Sequence, residues 1–179
     1  MSSMSVDVGD INRDGFDDLL VVDMLSRDPR LRQRQRPNLL VGKVTLPMGD
    51  PDYTPEVPRN TLQLNRGDGT YAEIAQLAGL AATEWSWSAG FLDVDLDGYE
   101  DVLVTNGNDH DVIDADVHAE IASGSGPGTK DRHAENLLRF PRLISTNLVY
   151  RNRGDLTFEL KSEEWGFNDV GISHGMAFA

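Results

Sequence analysis

Ser5-Val6-Asp7-Val8-Gly9-Asp10-Ile11-Asn12-Arg13-Asp14-Gly15-Phe16-Asp17-Asp18-Leu19 decides the reading of this chain. A near copy returns as Phe91-Leu92-Asp93-Val94-Asp95-Leu96-Asp97-Gly98-Tyr99-Glu100-Asp101-Val102. In both copies a short strand-like run enters an aspartate-rich turn and a second strand-like run leaves it. The acidic positions sit at one, three, five and nine of each turn, with Gly15 or Gly98 at position six.

That spacing suits calcium, which takes six to eight oxygen ligands at roughly 2.3–2.6 Å. Asp10, Asn12 and Asp14 supply side chains in the first loop, and Asp93, Asp95 and Asp97 in the second. The glycine allows the sharp bend that a Cβ would obstruct. Position seven lends a backbone carbonyl, here Phe16 or Tyr99, and Asp18 or Asp101 closes the cage. An EF-hand would place a glutamate at position twelve between helices. That position is Val21 or Val104, inside a strand. The expectation is two Ca²⁺ sites in β-hairpin loops, offsetting 4 of the 14 net negative charges. Magnesium suits them less, because it prefers fewer protein ligands and near-octahedral geometry.

The repetition extends beyond the loops. A shift of 83 superposes the two acidic motifs, and a shift of 87 lays Asn65-Arg66-Gly67-Asp68 on Asn152-Arg153-Gly154-Asp155. Each unit reads as four short strands: 4–9, 18–23, 61–64 and 70–75, then 86–92, 101–105, 147–151 and 157–161. A third first strand is expected at 173–179. Tandem four-stranded antiparallel units predict an all-β fold of propeller blades. The first repeat spans 1–85 with an insertion at 24–58, and the second spans 86–172 with an insertion at 106–144. The insertions predict short helices near 112–121 and 132–140, separated by the Gly/Ser run at 123–128. Two blades and one strand cannot close a ring, so the chain reads as part of a larger propeller or a piece that associates to cover its edges.

The motifs resemble FG-GAP/VCBS repeats, a group that includes the integrin α-subunit propeller. The stretch from Asn65 to Tyr71, Ala78-Gly79-Leu80, Trp85-Ser86-Trp87 and Val104-Thr105-Asn106-Gly107 is most similar to the branch of cartilage acidic protein and its bacterial homologues. The resemblance implies a propeller of about seven blades in an extracellular or cell-envelope protein, with calcium in the named loops. It implies a non-catalytic scaffold for adhesion or for a protein or carbohydrate ligand. The alternative is part of a propeller-fold polysaccharide lyase or hydrolase, with a site drawn from His110 and His118 or from other blades.

Composition agrees. Aspartate outnumbers glutamate 21 to 9, which favours turns and oxygen-ligand loops over helical surfaces. A net charge of −14 and a pI near 4.5 argue against nucleic acid and anionic lipid as partners. There is no cysteine, which excludes thiolate zinc sites and thiol nucleophiles. No apolar run of about 18 residues is present to cross a membrane. Nucleophile-elbow, phosphate-loop and dinucleotide motifs are also absent.

Four further features have competing readings. Arg66-Gly67-Asp68 and Arg153-Gly154-Asp155 spell an adhesion tripeptide, but turn geometry alone demands those residues. His110, Asp114 and His118 are four apart and would share a helix face, either as a zinc trio or as part of a solvated acidic helix. Arg27, Arg30, Arg32, Arg34 and Arg36 either offset nearby acids or dock on an acidic surface. Trp85 and Trp87 suit packing between blades or a carbohydrate groove, and His174 takes the place of Trp87 one repeat on.

Overall fold

The computed structural model describes residues 3–35, 58–123 and 130–178. Most of the first insertion, Arg36 included, and residues 124–129 lie outside them. The fold is mostly β. β1 (Ser5–Gly9), β2 (Asp18–Val22), β4 (Thr61–Asn65) and β5 (Tyr71–Glu73) form one antiparallel sheet in the order β1-β2-β4-β5. β6 (Glu84–Leu92), β7 (Asp101–Asn106), β8 (Leu148–Asn152) and β9 (Phe158–Leu160) form the second in matching order. β3 (Met24–Leu25) joins the second sheet by pairing with Trp85 and Glu84 of β6. Two such curled units are what propeller blades predict.

Alternation in the sequence explains the layers. β2 reads Asp-Leu-Leu-Val-Val, and its period-two pattern sends Leu20 and Val22 fully inside. Their counterparts on the second sheet are Val102 and Val104, also fully buried. β7 is buried at every position, as a central strand covered on both faces should be. The core between the sheets is completed by Leu62, Leu80, Phe91, Leu148, Tyr150 and Phe158.

The two first strands, β1 and β6, lie side by side. Asp7 Oδ2 accepts the Phe91 N–H at 2.7 Å, and Ser5 Oγ accepts that of Ala89 at 3.4 Å. Side chains of one blade thus satisfy the free strand edge of the next.

Two expectations need correction. Residues 173–178 form no strand. A strand needs a ladder, and the backbone tie described there is the Ser173 N–H to the Asn106 carbonyl at 3.0 Å. The segment still packs beside β6: a Cβ on Gly90 would meet the Phe178 ring at 3.0 Å. The fourth strand of the first unit stops at Glu73 and gives way to the helical turn α2 (Ala75–Ala78). Gly79 ends that turn in the left-handed region (φ 80°). The first insertion opens with β3 and then α1 (Pro29–Arg34), both before residue 36. The other helices are α3 (Ala115–Ser123) and α4 (Lys130–Leu137), each within three residues of its expected limits. No helix among the described residues is long and apolar enough to cross a membrane.

Antiparallel order sorts the connections by end. The acidic loops and the turns at 66–70 and 153–157 share one end of the sheets, and the insertions leave from the other.

Candidate metal centre

Each acidic loop is built by backbone donors turning in on its first aspartate. Asp10 accepts the N–H of Asp14 at 3.0 Å and of Gly15 at 2.9 Å. Asp93 accepts those of Asp97 at 3.0 Å and Gly98 at 2.9 Å. Position five repeats in the same way: Asp14 takes the Phe16 N–H and Asp97 the Tyr99 N–H, both at 2.9 Å. Gly15 and Gly98 stand at φ 86° and 90°, the left-handed conformation their position required. Arg13 and Leu96, two positions earlier, are also left-handed (φ 62° and 60°). That strain was not legible, because neither residue type favours it.

Position nine ties the loop to the rest of its sheet. Asp18 accepts from Ile11 N–H at 3.1 Å and from Asn65 N–H at 2.7 Å. Asp101 accepts from Val94 at 2.9 Å and Asn152 at 2.8 Å. Both carboxylates are fully buried. Burial pushes each above the ordinary carboxylate range, the backbone donors pull part of that back, and the neighbouring loop aspartates push it up again.

The second loop gathers oxygens of Asp93, Asp95 and Asp101 within 4.8 Å of one another. Ligands around an ion at about 2.4 Å can be at most about 4.8 Å apart, so this donor set fits a calcium shell. Asn12 takes the place of Asp95 in the first loop and donates from Nδ2 to Asp14 Oδ2 at 2.9 Å. That loop therefore offers one charge fewer.

Several participants were missed in the sequence. Arg151 bridges the second loop, with Nε on Asp95 at 2.5 Å and Nη2 on Asp97 at 2.7 Å. One repeat earlier its position is Leu64, so only the alignment of the two units reveals the difference. Glu100 Oε2 accepts the Asp10 N–H at 2.8 Å, across the two sheets, and burial raises its pKa. Asn152 Nδ2 donates to the carbonyls of Ile11 at 2.8 Å and Glu100 at 3.0 Å, joining the two acidic loops. Arg13 lies 5.3 Å over the Tyr99 ring, a second tie between them.

Residues 48–104 match the family model of an FG-GAP-like repeat. That stretch is similar to an FG-GAP-like repeat. The matched stretch takes in β4 and β5 of the first sheet and β6, the second acidic loop and most of β7. The first acidic loop falls outside the FG-GAP-like match, and its likeness rests on the bond-for-bond repetition above. No curated protein and no solved structure matches the chain.

The remaining candidates resolve differently. The tripeptides at 66–68 and 153–155 are turns: Asp68 and Asp155 each accept both the N–H and the hydroxyl of the threonine two residues on. Gly67 (φ 70°) lies under the Phe16 ring and Gly154 (φ 72°) under that of Tyr99, so the position-seven aromatics cover these turns. His110, Asp114 and His118 do not converge. His110 precedes α3 and faces Asp109, Asp114 caps α3 through the N–H groups of Asp116 and Val117, and His118 bonds the Val112 carbonyl. Arg34 docks on Asp114 at 2.6 Å and Gln35 on Asp111 at 3.0 Å, so part of the basic run meets the acidic second insertion. Trp85 is buried, while Trp87 meets His174 edge-to-face at 4.7 Å.

Proposed function

We propose that both acidic loops hold Ca²⁺ and that the chain is a calcium-stabilised propeller segment of an extracellular or cell-envelope binding protein. The convergence of Asp93, Asp95 and Asp101 carries this reading. Asp10, Asn12, Asp14 and Asp18 with the Phe16 carbonyl would serve the first site. Asp93, Asp95, Asp97 and Asp101 with the Tyr99 carbonyl would serve the second. The ion supplies positive charge to carboxylates that otherwise repel one another. The protein's own groups supply the frame, because Asp18 and Asp101 connect each loop to β4 or β8 through Asn65 or Asn152.

The role is structural and the scaffold non-catalytic, serving a protein or glycan ligand. The cartilage acidic protein-like branch and a ring of about seven blades belong to this proposal. So do the remaining blades, or further copies of the chain, as partners.

Thermal melting with calcium, with magnesium and with chelator tests it. A site held at a hundredfold over its Kd adds about 2.7 kcal/mol. For a chain of this size that is a rise of about 5–10 °C per site. Magnesium at the same concentration should produce a much smaller rise. Identical melting in calcium and chelator would overturn the calcium reading.

A further inference from the structure

A cavity of about 380 Å³ lies at the junction of the two sheets, away from the acidic loops. It is lined by Arg27 and Arg32 at the start of the first insertion, by Gln76 of α2, and by Ala82, Tyr150 and Phe158. Its volume falls in the roughly 300–1,000 Å³ range of small-molecule sites.

Its two arginines make the lining rich in donors. Tyr150 is only 4% exposed; its hydroxyl lies beside the Arg27 guanidinium, which can only donate to it, and no described group accepts its proton. A buried hydroxyl proton without an acceptor is costly, so native proteins rarely keep one idle. Burial pushes the phenol up to about 12, which leaves it a neutral donor at pH 7 despite the nearby Arg27. Arg32 spends Nε on the Ser26 carbonyl and Nη2 on that of Arg27, and has no carboxylate partner among the described residues.

The rim is held under strain. Glu84 adopts φ 72°, a left-handed backbone conformation costly for a non-glycine residue. In that pose it accepts from Arg27 N at 3.1 Å, Arg27 Nε at 3.0 Å and Ser26 Oγ at 2.7 Å. The bonds hold Arg27 and offset its charge, which leaves Arg32 as the lining cation with no carboxylate partner among the described residues. In a chain of net charge −14, this is a local inversion of sign.

We propose that this cavity binds a small carboxylate-bearing ligand of monosaccharide size. The planar guanidinium of Arg32 and the Tyr150 hydroxyl receive the carboxylate, a geometry arginine suits better than a point charge. Gln76 bonds a ring hydroxyl, and the body lies over Ala82 and Phe158. The site is independent of the calcium loops.

Calorimetric titration of the full chain with D-glucuronate tests it, with D-glucose as the uncharged control of the same ring size. Glucuronate should bind saturably, and glucose about tenfold more weakly or not at all. Arg32→Gln should weaken glucuronate about tenfold. Because Arg32 also supports the backbone at Ser26, Tyr150→Phe provides the check that keeps the fold: it should weaken binding severalfold with no loss of melting temperature. Glucuronate binding no tighter than glucose, or binding unchanged in both variants, would overturn the proposal.

Discussion

Replacing Asn152 with alanine should be far more costly than the same change at Asn65, its equivalent one repeat earlier. Asn152 is 1% exposed, and its amide makes three bonds: to the Ile11 carbonyl at 2.8 Å, to the Glu100 carbonyl at 3.0 Å, and from the Gly154 N–H at 2.9 Å. Ile11 is itself buried, so its carbonyl would be left without a partner away from water. One such orphan costs about 1–3 kcal/mol, and a partly compensated bond about 0.5–1.5 kcal/mol. The total is about 3 kcal/mol, or roughly 6–12 °C in melting temperature for a chain of this length. Asn65 makes a set of the same size, to the Asp17 carbonyl at 3.1 Å, to the Tyr71 hydroxyl at 3.3 Å and from the Gly67 N–H at 3.0 Å, but all three bonds are exposed. Water can replace them, which limits the loss to about 1 kcal/mol. Urea and thermal melts of the two variants, run in chelator so that metal does not contribute, measure the difference. Equal losses, or a smaller loss at Asn152, would refute the idea that this amide joins the two sheets.

Arg151→Leu, which installs the first repeat's residue, should tighten calcium at the second loop severalfold by freeing Asp95 and Asp97. The same variant should be less stable than wild type in chelator, and calorimetric titration with paired melts reads both effects. Asp111→Asn should stabilise the protein at pH 7, because burial raises the Asp111 pKa above its unfolded value near 3.8 and makes its ionised form a liability in the fold. The sign follows from linkage: wild type gains stability as pH falls through the raised folded pKa. The variant's advantage is therefore full above that pKa and gone below about 3.8. Melts across pH 3–8 check it. Gly67→Ala should cost about 1–2 kcal/mol, because φ is 70° and the new Cβ would lie 2.6 Å from the Phe16 ring. A lower urea midpoint with an unchanged slope would show it.

Local chemistry was legible where a residue's role depends on its own neighbours. The two Asp-x-Asp/Asn-x-Asp-Gly loops, the glycines at φ 86° and 90°, and the alternation of β2 each follow from a few adjacent positions. The tripeptides also read correctly as turns, since Asp68 and Asp155 bond within two residues. Repetition added the order of strands, because the same local pattern occurs twice in phase. The extra pairing of β3 with β6 was hidden, as Met24 and Leu25 carry no mark that they leave one sheet for the next. So was the end of β5 after Glu73, where Ile74 continues a strand-like pattern into α2.

The sequence by itself determined the all-β class, the repeat unit and the acidic residues that curl around each loop, since those depend on periodicity and on contacts within about ten positions. Tertiary structure alone decided that Arg151 reaches Asp95 and Asp97 from 56 and 54 residues away, and that Asn152 ties Ile11 to Glu100 across 141 and 52. It alone set Arg32 and the buried Tyr150 hydroxyl around one cavity. Such pairings depend on how one curled sheet lies against the next, and no short-range pattern of residue types encodes that geometry.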